Sequence, residues 1–194
     1  MQARRVLGID PGRRHVGYAV IDERLLTAGV WQFPPDVLPL VLPALVRRQA
    51  QTLLRRYQVD VLAIEDWVWY GRFVKEAPFV TRLIGALETL ASQVLVVEYP
   101  ADEWMRALMG YLPSLDPYGW ERPSWKAQLR TEVGSRLHHQ WPVMLHASAA
   151  SAFHDSDAAG VALYAQAVQR TGCRLQDVSR RVPPRPRRRQ QPHR

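Results

Sequence analysis

Hydrophobic positions along the chain fall into two rhythms, and the switches between them predict its elements. Val6-Leu7-Gly8-Ile9-Asp10 is a short apolar run stopped by the turn signal Pro11-Gly12. His15 to Ile21 returns with β-type residues, and Leu25 to Phe33 supplies a third such run. Three strands joined this tightly predict an antiparallel meander. Around Pro43 to Tyr57 the period lengthens: Leu42, Leu45, Val46, Leu53, Leu54 and Tyr57 recur at helical spacing, with Arg47, Arg48, Arg55 and Arg56 outside. Val59 to Ile64 is apolar throughout, as a parallel strand covered on both faces should be, and it ends in Glu65-Asp66.

Residues 77–91 predict a strongly apolar helix through Phe79, Val80, Leu83, Ile84, Leu87 and Leu90. Val94 to Tyr99 predicts a fifth strand, followed after Pro100 by a helix to Met109 with acidic residues in its first turn. The Pro-, Gly-, Tyr- and Trp-rich stretch from Gly110 to Pro123 reads as a long loop, and Ser124 is placed to cap a helix carrying Leu129, Val133 and Leu137. A last helix is expected from about Ser151 to Arg170. Together these predict an α/β domain over residues 1–175, with a mixed five-stranded sheet flanked by helices. The sheet combines an antiparallel meander (strands 1-2-3) with parallel strands. Residues 176–194, rich in Arg, Pro and Gln, cannot build a core and read as a disordered basic tail.

Composition narrows the class. At 194 residues, 47% hydrophobic and 23% charged, the chain suits one well-filled domain. No apolar stretch reaches the roughly 20 residues of a membrane span, and the N-terminus lacks the apolar core of a signal peptide. The single cysteine, Cys173, excludes an internal disulfide and a multi-cysteine zinc site. A cytoplasmic location is the expectation. The net charge of +8 points to a polyanionic partner, yet seven arginines between Arg180 and Arg194 account for most of it. Only Lys75 and Lys126 are lysines. Arginine's planar fork suits phosphate, although genomic base composition produces the same bias.

Three carboxylates stand where a plain core would not place them. Asp10 and Glu65 each close an apolar strand. Asp157 lies on a helical stripe with Phe153, His154, Val161, Tyr164 and Val168, so it should face inward. A buried carboxylate is costly unless it is paired or binds a cation. A hard divalent cation with oxygen ligands relieves the repulsion within such a cluster. Each residue also has a plainer account: Asp10 as a turn former in Asp-Pro-Gly, Glu65 as a strand-end partner of an arginine, Asp157 as a helix residue bonded to a hydroxyl. It is their combination that points to a site.

The segments around these residues resemble the RuvC family of Holliday-junction resolvases, within the RNase H-like superfamily. Val6 to Gly12 followed by Val16-Gly17-Tyr18-Ala19-Val20 looks like the family's opening, and Ala63-Ile64-Glu65 is similar to its second acidic motif. Phe153-His154-Asp155-Ser156-Asp157-Ala158-Ala159 resembles its final motif, and Glu98 to Gly110 its intervening strand and helix. The resemblance, over roughly residues 5–168, implies an RNase H-like fold and two-metal phosphodiester hydrolysis of four-way DNA junctions. Asp10 would be shared by two Mg²⁺ ions, with Mn²⁺ substituting, and Glu65 and Asp157 would each complete one site. His154, one helical turn before Asp157, would bind metal or assist the attacking water. Its plainer account is a core histidine donating to a carbonyl. Asp155 points away from Asp157 around the helix and reads as support for the site or compensation of the helix dipole.

The resemblance also implies how DNA is held. In Trp67-Val68-Trp69-Tyr70-Gly71-Arg72-Phe73, Trp69 would wedge into the junction by stacking, with Arg72, Arg13 and Arg14 on phosphates. Lys126 would face the scissile strand, surface solvation being the alternative. A two-fold homodimer through the apolar helix at 77–91, where Gly85 and Ala86 permit close approach, is implied for paired nicks. Burial of that helix in the monomer core is the alternative, and a branch-migration helicase is a further implied partner. The tail is a departure from the family pattern, serving DNA backbone binding or solubility. Competing readings are a YqgF-like or transposon-associated nuclease, and a junction-binding scaffold without catalysis. A phosphate-loop kinase would need a second lobe for which 194 residues leave no room.

Overall fold

A computed structural model describes residues 4–66, 77–110, 122–141 and 153–172. The expected wedge segment, with Trp69 and Arg72, lies outside these, as do Cys173 and the basic tail.

The strands are β1 (Val6–Pro11), β2 (His15–Ile21), β3 (Leu25–Gln32), β4 (Val61–Asp66) and β5 (Leu95–Pro100), in the sheet order β3-β2-β1-β4-β5. β1, β2 and β3 pair antiparallel, whereas β4 runs parallel to both β1 and β5. The mixed five-stranded sheet expected from the sequence is therefore the one found. Helices α1 (Leu42–Tyr57) and α2 (Ala77–Glu88), with a 3-10 turn at Thr89–Ser92, cover one face. Helices α3 (Ala101–Met109), α4 (Arg122–Arg136) and α5 (His154–Thr171) cover the other.

Strand alternation sorts the side chains between these layers. Leu7, Ile9, Leu62 and Ile64 enter the α1/α2 core. Val6, Val61 and Ala63 enter the α3/α4/α5 core. Continuing the same period, Asp10 and Glu65 emerge on the α5 face. The layer above them is unusually close. A Cβ on Gly8 would lie 1.9 Å from the carbonyl oxygen of Ala158, and one on Gly17 equally close to that of His154. Two missing side chains on β1 and β2 thus let the backbone of α5 lie on the sheet, which places its N-terminal turn beside the end of β1.

Some boundaries differ from expectation. α4 starts at Arg122, so Ser124 lies inside the helix and is not its cap. Pro123 falls in the first turn, where a proline's missing N–H costs nothing. α5 carries the expected inward stripe, but Ser156, Ala158, Ala159, Gly160, Ala162 and Ala165 are buried as well. It is packed on several sides rather than on one, because α3 and α4 cover what the sheet does not. The apolarity of α2 is largely spent inside the chain: Val80, Leu83, Ile84 and Leu87 are buried in the core, while Pro78, Thr81, Arg82 and Glu88 are exposed.

Candidate active site

The ends of β1 and β4 and the first two turns of α5 bring Asp10, Glu65, His154 and Asp157 to one edge of the sheet. Asp10 and Asp157 are only 7% and 6% exposed, which for carboxylates demands compensation. Nδ1 of His154 contacts Oδ2 of Asp10, and the imidazole stacks at 6.4 Å on His15 of β2. Lys126, reaching over from α4, contacts Oδ2 of Asp157 as a buried ion pair. Glu65 accepts a hydrogen bond from the indole Nε1 of Trp104, on α3, at 3.1 Å.

The charges do not balance. With all three carboxylates ionised, the ammonium of Lys126 and a protonated His154 beside Asp10 still leave negative charge in excess in this site. Burial, reinforced by the negative charges of Asp10 and Asp157, holds the Glu65 carboxyl well above the usual carboxylate range, against the opposing pull of Lys126 and the Trp104 N–H. Burial also raises Asp157, with Asp10 adding to it, although Lys126 and His154 pull the other way. Burial alone would lower Lys126, but Asp157, Glu65 and Asp10 outweigh it and keep the ammonium charged.

This donor set fits a hard divalent cation. Oδ1 of Asp157 is buried and accepts no hydrogen bond from the described residues, so one ligand oxygen is left over where charge is short. All the acidic donors are oxygens, as Mg²⁺ prefers. Among the described residues the side chains are not already gathered as a metal cage, since Asp10 and Asp157 are turned toward His154 and Lys126.

Supporting contacts hold the start of α5. Arg130 of α4 donates to Oδ1 of Asp155 at 2.6 Å and its guanidinium lies 4.8 Å over the Trp141 ring. Asp155 also accepts from the backbone N–H of Ser156 at 2.8 Å. The expectation that Asp155 supports the site rather than joins it is consistent with this pairing. Lys126 is largely buried against Asp157 rather than solvated, unlike the plainer account of it. Arg14 donates to the carbonyls of Pro34, Val37 and Pro35 at 2.7, 2.9 and 3.0 Å. That contact ties down the β3–α1 connection through Nη1 and Nη2 of a side chain expected to meet phosphate, whereas Arg13 is exposed. Trp104 and Arg130 had no place in the sequence-based site. A buried Trp between two acidic elements needs an acceptor for its N–H, and that was the one signal available for it.

The family description crossover junction endodeoxyribonuclease RuvC matches residues 6–113. The chain is 28% identical over 112 residues to the crossover junction endodeoxyribonuclease RuvC of Synechococcus sp. (strain CC9902), spanning 55% of this chain and 73% of that protein. It is 32% identical over 113 residues to the protein of the same name from Thermomicrobium roseum, spanning 55% and 69%. Among solved structures, T. thermophilus RuvC in complex with a Holliday junction substrate superposes with a TM-score of 0.66 at 21% identity, covering 88% of this chain and 98% of that one. The yeast mitochondrial Holliday junction resolvase Ydc2 superposes with a TM-score of 0.55 at 13% identity, covering 82% and 76%. These superpositions speak for the fold. The family match includes Asp10 and Glu65 but ends before α4 and α5, so Lys126, His154 and Asp157 stand on geometry. With more than half of its length matching the family description, and the matching fold continuing beyond it, this chain belongs to the RuvC family.

Proposed function

We propose that the protein is a structure-selective, metal-dependent DNA endonuclease that resolves four-way junctions by paired nicks. The observation that carries the catalytic part is the largely enclosed group of three carboxylates, which Lys126 and His154 together do not fully compensate. The junction preference is supported by family membership.

Asp10, Glu65 and Asp157 would hold Mg²⁺, two ions per site, with Mn²⁺ substituting. Bound there, the cations would offset the surplus negative charge, acidify a water and stabilise the leaving oxygen of the phosphodiester. The chain's own groups do the rest. His154 fixes the orientation of Asp10 through Nδ1. Arg130 and Asp155 hold the first turn of α5, and so Asp157, in place. Lys126 supplies positive charge on the side from which a phosphate would approach α4 and α5. A homodimer would place two such sites on opposite strands of a symmetric junction. Gly85 on α2, where an added Cβ would meet only Glu88 at 3.7 Å, leaves room for a neighbouring helix.

The test is cleavage of a labelled four-way junction beside linear duplex, flap and RNA–DNA hybrid, with Mg²⁺ and Mn²⁺ varied. Symmetric paired nicks in the junction alone are expected. Equal cutting of duplex and junction overturns the resolvase reading while sparing the nuclease. No cutting of any substrate with either metal, alongside tight junction binding, replaces it with a scaffold. A solution mass of one chain at working concentration would remove the dimer.

A further inference from the structure

Trp104 joins the two elements of the acidic site that come from different layers. Its side chain is fully buried on α3, and its Nε1 donates to Oε2 of Glu65 on β4 at 3.1 Å. On its other side the ring lies against α5. A Cβ on Gly160 would fall 2.4 Å from Cζ3 of the indole. Gly160 is three residues, less than one helical turn, after Asp157. One rigid ring therefore touches the helix that carries Asp157 and bonds the carboxylate of Glu65. Packing alone asks only for a large apolar side chain. What only tryptophan brings is an N–H, which when buried must find an acceptor.

The bond also distinguishes the two Glu65 oxygens. Oε2 already accepts the indole N–H, so the two oxygens of Glu65 are no longer equivalent toward a cation and Oε1 is the one that Trp104 does not engage. A carboxylate restrained in this way serves one-oxygen ligation. Mg²⁺, with its strict octahedral shell, accepts that arrangement, whereas the larger Ca²⁺ gains from ligation by both oxygens.

Resting on the reading of Glu65 as a metal ligand, we propose that Trp104 is a positioning and specificity-determining residue: its indole fixes Glu65 through one oxygen and thereby favours Mg²⁺ over Ca²⁺. Groups that orient metal ligands commonly contribute about 10- to 100-fold in affinity, so the effect is measurable without catalysis.

The experiment is competition of Mg²⁺ and of Ca²⁺ against Mn²⁺ on the full-length protein without DNA, with free Mn²⁺ followed by its paramagnetic resonance signal. W104F keeps an aromatic ring and removes the N–H. If it unfolds, benzothienylalanine incorporated at position 104 keeps the bicyclic shape with sulfur in place of N–H. The expected result is about a 10-fold loss of Mg²⁺ affinity with Ca²⁺ affinity unchanged or improved, in a variant that still unfolds cooperatively in EDTA. Affinities within twofold of wild type overturn the proposal. An equal loss for both ions does so too, since that is what general loosening of the site would give. E65Q is measured in parallel. If E65Q leaves metal binding intact, the reading of Glu65 as a ligand fails first. If E65Q weakens binding and W104F does not, only the role of Trp104 is overturned.

Discussion

On one side of the sheet, α1 and α2 cover Leu7, Ile9, Leu62 and Ile64, and each buried side chain in that layer, among the described residues, is apolar. On the other side, α3, α4 and α5 enclose Asp10, Glu103, Arg130, Ser156, Asp157 and Gln166 along with their own apolar core. Both layers pack on the same five strands, and neighbouring residues of one strand belong to different worlds. Ile9 faces oil and Asp10 faces carboxylates. The raised positions of Glu65 and Asp157 mean that ionising the acidic layer costs folding free energy. The apolar cores of both layers offset this cost, since burial of apolar surface is the dominant favourable term in folding. The division predicts that substitutions on the two faces separate activity from stability.

The largest separation is expected at Asp10. Asp10→Asn keeps shape and removes charge from the most central ligand. Junction cleavage should fall on the order of a thousandfold, the scale of losing one preorganised electrostatic group, while junction binding and melting temperature hold. Single-turnover rates and gel-shift titrations on the same preparation check it. A mutant that still cuts at near wild-type rates would falsify the catalytic reading of the α5 face.

Lys126→Met probes the charge balance of that face. Without metal, Asp157 would be left buried without its ion-pair partner, and the protein should lose on the order of 3 kcal/mol. Saturating Mn²⁺ should restore most of it, because a cation can take over the ammonium's role. Urea unfolding at pH 8, in EDTA and in Mn²⁺, measures both numbers. A loss that Mn²⁺ does not reverse would make Lys126 a packing residue and erase part of the contrast between the layers.

Much of this arrangement was legible in the sequence, and what was not has a physical reason. The meander, the parallel strands and the helices follow from period alone, because a strand or helix announces its buried side locally. Asp10 and Glu65 showed as acids closing apolar runs, and Asp157 as an acid on an inward stripe. Lys126 showed only as a contact for the scissile strand, not as the partner of Asp157, and Trp104 and Arg130 did not show at all. The three reach Asp157, Glu65 and Asp155 from 31, 39 and 25 residues away along the chain, and no periodicity encodes which side chains meet across layers. The small residues of α5 carried a missed signal: Ala158, Ala159, Gly160 and Ala162 mark a helix packed on several sides, not one with an exposed back.

Ile9→Val is the counterpart of Asp10→Asn, one residue away on the other face. Ile9 is fully buried, and removing one methylene from such a position costs about 1 kcal/mol. The cleavage rate of the folded enzyme and its metal dependence should not change. Denaturant midpoints beside single-turnover rates test this. A change in metal dependence would show that the sheet transmits packing from one layer to the other.

The smallest effect concerns an acid at the rim of the apolar face. Glu98 follows Val96 by one strand period, so it lies on the α1/α2 side at the rim, half-buried. Burial, a hydrogen bond with Glu88 of α2, and the charges of Glu88 and Asp66 push its carboxyl from an ordinary 4.5 up to about 7. A folded state that holds a proton more tightly than the unfolded chain is favoured at low pH. Its advantage is full below pH 4.5 and is lost as pH rises through about 7, as the carboxylate ionises beside Glu88. Glu98→Gln keeps a donor for Glu88 and cannot ionise. Its stability should match wild type near pH 4.5, exceed it progressively toward pH 7, and stay ahead by a constant margin above that. Melting temperatures across this range, in EDTA to silence the metal site, read the effect directly. A difference between the two proteins that does not vary with pH would place the proton elsewhere and return the α1/α2 face to a purely apolar role.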